Sequence, residues 1–78
     1  MSSPESLRKA VAHLEQGEWE AAHDIVQSDD SVLACWLHGI VHLLEGDLGN
    51  AGYWYERAGR AFPNDAAAEI VAAKKLMA

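Results

Sequence analysis

His38 and His42 stand four residues apart in the run CWLHGIVHLLE, and Glu45 follows His42 by three. On an α-helix this spacing stacks two imidazoles and a carboxylate along one face, where two nitrogen ligands and an oxygen ligand can meet a single ion. Cys35 falls on the same arc, while Leu33, Trp36, Leu37, Ile40 and Leu44 fall on the opposite one. His13 or His23 reaches this region if the chain folds back on itself. HGIVHLLE lacks the glutamate beside the first histidine that marks HExxH metalloproteases. The residues therefore favour a structural reading. Half-buried histidines form an interhelical hydrogen-bond network satisfied by Glu45, Tyr55 or Gln27, with no metal or cofactor called for. The alternatives are a small polar-ligand pocket of His23, His38, His42 and Glu45, or a metal site at the same residues, and with either a small ligand- or metal-dependent enzyme.

Other chemistry finds little support. Cys35 has only His38 as an activating neighbour and lies in an apolar helix, where a thiol is usually inert. GDLGNAG suits a helix–helix turn better than a phosphate-binding loop, which needs a strand before it. The expectation is a protein that works by binding rather than by catalysis.

No segment alternates with period two, and turn residues divide the chain into about five helices that carry these groups. The fold class is all-α. Ser3 and Pro4 open a first helix that runs to about Gln16, and Gly17 closes it. Trp19 to about Gln27 forms a short second helix, so hairpin 1 covers about residues 4–28. Ser28, Asp29, Asp30 and Ser31 make a turn before the third helix, which ends at Glu45. Asp47 caps a fourth helix expected to continue to about Phe62, giving hairpin 2 over about 31–62. After Pro63 and Asn64, Asp65 starts a last helix over about 65–77 that caps the stack. The turns GEWEAA at 17 and GDLGNA at 46 align as an internal repeat with a 29-residue offset.

Two further surfaces stand out. Leu48, Ala51, Trp54, Tyr55, Ala58 and Phe62 share the face of the fourth helix expected to form core, while Asn50, Tyr53, Arg57 and Arg60 gather opposite as a candidate interface. Trp36 joins that interface if the apolar arc of the third helix is covered by a partner or a second copy rather than by the chain itself.

Composition bounds the partners. The 78 residues carry a formal charge of −6, which argues against nucleic acid, whose phosphates attract clustered Lys and Arg. The charge is uneven: residues 1–47 hold nine acids against Arg8 and Lys9, whereas residues 48–78 sum to +1. A lone cysteine, an N-terminus without a signal-peptide pattern and no apolar run near the ~20 residues of a spanning helix point to a cytoplasmic protein with no membrane role.

Residues 35–63 carry Gly39, Gly46, Ala51, Tyr55, Ala58 and Pro63 at the intervals of the tetratricopeptide (TPR) pattern, with Cys35, His38 and His42 where that pattern has larger residues. The chain resembles small TPR-like proteins, of bacterial type in its EGDLGNAGYWYERAGR block. That resemblance implies a single TPR-like domain over 1–78, packing roles for Ala51, Tyr55 and Ala58, and a protein partner or a second copy of the chain.

Overall fold

Helix ends in this chain are written by side-chain caps and glycines. In the computed structural model, which describes residues 3–78, Ser3, Ser31, Asp47 and Asp65 each accept a backbone N–H three residues on through their side-chain oxygen. These caps open α1 (Pro4–Glu15), α3 (Val32–Glu45), α4 (Leu48–Arg57) and α5 (Ala66–Leu76); α2 (Trp19–Val26) starts at Glu18 with no side-chain cap bond. The all-α class with five helices is as the sequence implies.

Gly17, Gly46 and Gly59 are the positive-φ residues among those described. Each follows a helix, and in each case the next N–H reaches back to a carbonyl five residues earlier: Glu18 to His13 at 2.9 Å, Asp47 to His42 at 3.0 Å, Arg60 to Tyr55 at 3.0 Å. This is the glycine closure that satisfies last-turn carbonyls. It corrects the expected extent of the fourth helix. Gly59 closes α4 at Arg57, short of the expected Phe62, so Phe62 leaves the helical register. Phe62 and Leu48, both expected in the core, are 50% and 58% exposed.

The 29-residue repeat is visible in burial. Leu7, Ala10, Val11, Ala22 and Val26 correspond to Trp36, Gly39, Ile40, Ala51 and Tyr55, and all ten are buried. α1 packs on α2 and α3 on α4, while α3 also meets α2, α5 and α1. α3 is consequently the central helix, buried from Ala34 through His42, and its polar residues are forced into the interior with its apolar ones. Gly39 permits the closest approach: a Cβ there would sit 2.6 Å from the Tyr55 ring.

α5 covers Trp36. The indole is 2% exposed, its Nε1 donates to Glu69 at 3.0 Å, and the Arg60 guanidinium lies 3.5 Å from its ring centroid. Trp36 is thus not an interface residue; the covering surface comes from the same chain. Among the described residues no helix is long and apolar enough to cross a membrane.

Candidate functional site

Burying α3 on every side brings its two histidines against α2 and α4. His23, from the middle of α2, completes a cluster in which the ring centroids of His23 and His38 are 4.7 Å apart, those of His38 and His42 5.0 Å, and those of His23 and His42 5.5 Å. One nitrogen from each ring lies within 4.8 Å of the others. His38 also stacks nearly parallel on Trp54 of α4, with centroids 3.9 Å apart and planes 10° from parallel.

The three rings have different surroundings. His42 places Nδ1 2.7 Å from a carboxylate oxygen of Glu45, so the carboxylate accepts the Nδ1 proton and the lone pair of the neutral ring stays on Nε2. His38 is 4% exposed, and its Nδ1 is a buried side-chain atom with no hydrogen-bond partner. Burial, reinforced by His23 and His42, holds the His38 imidazolium down at a pKa of about 4. The ring is therefore neutral near neutral pH, with one nitrogen bearing a lone pair. His23 is half-buried and borders solvent.

Outside the cluster lies an open groove of roughly 330 Å³, lined by Trp19, Glu20, His23, Asp24, His42, Glu45, Asp47 and Asn50. Its charged lining is wholly acidic. A second set of groups with ligand atoms within 4.8 Å, His42, Glu45 and Asp47, shares His42 with the histidine trio. Asp47 is already engaged, accepting the N–H and the side-chain amide of Asn50 at 3.2 and 3.3 Å.

Structure and sequence agree unevenly here. His23, His38, His42 and Glu45 come together. Cys35 does not join them: its thiol lies 3.7 Å from the Asp30 carbonyl. Of the residues expected to satisfy the histidines, Glu45 does so, whereas Tyr55 donates to Glu69 at 2.9 Å. The expected interface divides into three places. Asn50 lines the groove and Arg60 covers Trp36, while Arg57 donates to the Tyr53 hydroxyl at 3.1 Å beside Trp54. The split follows from α4 ending at Arg57, which takes Arg60 out of helical phase with Tyr53.

Trp54 was expected only as core, yet it links the histidine cluster to Tyr53 and Arg57. Glu20 and Asp24 were not singled out, although their spacing around His23 places all three on one face of α2. Comparisons with protein-family models, with curated proteins and with solved structures find no match for this chain.

Proposed function

We propose that this chain is a TPR-like helical binding module, and that what it holds is a small ligand or ion in the groove between α2, α3 and α4. It acts by binding rather than by catalysis. The carrying observation is the buried His38 Nδ1 without a partner, in a three-histidine cluster that borders an open groove. A buried polar atom left unpaired costs about 1–3 kcal/mol, and natural cores rarely keep one without a role. A native mass spectrum of the protein as isolated from cells tests this. The expected result is an adduct on the parent chain that disappears when His38→Asn and His42→Leu are combined. A bare parent mass, identical in adduct content to the double variant, would remove the reading.

Self-association is a second reading, supported by Leu48 and Phe62. These half-exposed side chains flank Leu43 around an apolar depression on the α3–α4 side. Sedimentation at rising concentration is expected to show a dimer that Phe62→Ser weakens; a monomer at every concentration rules it out. The buried single thiol of Cys35 fits a reducing, cytoplasmic setting.

A further inference from the structure

We infer that the groove ligand is a divalent transition-metal ion, held by one nitrogen each from His23, His38 and His42, with the remaining coordination position open to the groove. The inference rests on the ligand-binding reading above and names its ligand.

Four observations converge. The donor set is complete in number: three imidazoles are one of the sets that hold zinc with a fourth position left for water or another ligand. The geometry is close. Tetrahedral bonds of about 2.0–2.1 Å place nitrogens about 3.4 Å apart, and the three here already lie within 4.8 Å of one another. Ring rotations of about an ångström close the difference, and half-buried His23 at the groove edge has room to make them. Third, the Nδ1–H of His42 donates to Glu45, an outer acceptor of the kind that metal-ligating histidines almost always have. It fixes the tautomer that offers Nε2 as a ligand. Fourth, the Nδ1 of buried His38 has no hydrogen-bond partner, so no bond at that nitrogen accounts for a polar ring held in the interior against Trp54.

Charge and donor type narrow the ion. The groove walls carry Glu20, Asp24, Glu45 and Asp47 and no Lys or Arg, so they attract a cation and repel anions. Nitrogen donors with neighbouring carboxylates and no sulfur suit Zn²⁺, Ni²⁺, Co²⁺ or Cu²⁺ and disfavour Cu⁺. The competing set of His42, Glu45 and Asp47 offers a single nitrogen and two exposed carboxylates. Using it would break the Glu45–His42 bond and the cap of α4.

The experiment strips the full chain with a chelator and titrates it near neutral pH with Co²⁺ and then Zn²⁺. Uptake is followed by visible absorption, tryptophan emission and native mass spectrometry. One ion per chain is expected, with quenching of emission from Trp54 by Co²⁺. His23→Ala sits on the groove wall, where loss of the ring leaves the helix intact by circular dichroism, and is expected to weaken uptake by more than about 100-fold. That exceeds the 10–100-fold that outer partners carry, the range expected for Glu45→Gln, which keeps every ligand. His13→Ala, at the position of the first repeat that corresponds to His42, is expected to change nothing. Uptake that survives His23→Ala overturns the assignment to the trio. No uptake, with a non-metal adduct on the isolated protein, overturns the metal and leaves the ligand reading standing; no uptake and no adduct ends both.

Discussion

Two buried polar clusters are built on α3, and they are finished to different degrees. Trp36 and His38 are two residues apart, about 200° around the helix. On the Trp36 side every polar group has a partner: one Glu69 oxygen receives the indole N–H and the Tyr55 hydroxyl, and Arg60 lies over the indole. Burial and the Glu69 hydrogen bond drive the Tyr55 hydroxyl well above its ordinary pKa, so it remains a donor. On the His38 side three imidazoles crowd together, one nitrogen has no partner, and a groove adjoins them. A closed network fixes structure. An incomplete one beside solvent is where the proposed ligand would bind.

The sharpest way to break this contrast is Glu69→Ala. α5 has Ala73 as its one buried residue, so Glu69 is a principal anchor of that helix. Its loss strands two buried donors and is expected to cost about 2–4 kcal/mol, a large share of the stability of a chain this small. Urea unfolding measures the loss, and cobalt uptake should be unchanged. Uptake that falls along with stability would show that the two clusters are one unit.

Acid tests the open cluster next. The folded state holds the His38 pKa at about 4, below its ordinary 6.5, so the unfolded chain binds the extra proton in that interval. Stability of the metal-free protein is therefore full above about pH 6.5 and declines as pH falls towards 4, by on the order of 2 kcal/mol. Thermal melts across this range check it. A flat profile would mean that His38 is not held neutral by its surroundings.

Gly39→Ala probes the close approach between α3 and α4. Alanine gains about 1 kcal/mol in helix propensity, but its Cβ would meet Tyr55 ring atoms at 2.6 and 2.7 Å, and the Tyr55 hydroxyl is pinned by Glu69. A net loss of about 1–2 kcal/mol in urea is expected. Gly52→Ala, whose Cβ meets only the half-exposed Phe62 ring at 3.8 Å, is expected to gain stability instead. Equal effects at the two sites would mean that Tyr55 moves freely.

What could be read beforehand followed the range of the interaction. Caps at Ser3, Asp47 and Asp65 and the stops at Gly17 and Gly46 are local chemistry, and five helices followed from them. The i,i+4 histidines and Glu45 were legible for the same reason. The fourth helix was expected to reach Phe62 because a glycine within a helical pattern, here Gly59, carries no sign of its φ, and with it went the placing of Phe62 and Arg60. Whether Trp36 is covered by the chain itself or by a partner stayed open in the sequence because Glu69 lies 33 residues away on a helix with weak amphipathic character. Periodicity within α3 cannot reveal that α5 returns to cover it. The same limit hid Trp54, whose place against His38 depends on how α4 crosses α3.

The smallest expected effect is the most discriminating. His38→Leu removes an unpaired buried nitrogen, which favours the folded state by about 1–3 kcal/mol, and loses the stack on Trp54, worth about 0.5–1.5 kcal/mol. The two nearly offset, so stability near neutral pH should shift by less than about 1 kcal/mol, while the acid sensitivity and the cobalt uptake both disappear. If His38 were simply part of a structural network, as the sequence suggested, leucine would destabilise the protein as Glu69→Ala does. A residue that can be replaced by leucine without harm to the fold, yet not without loss of the ion, is kept for the ion.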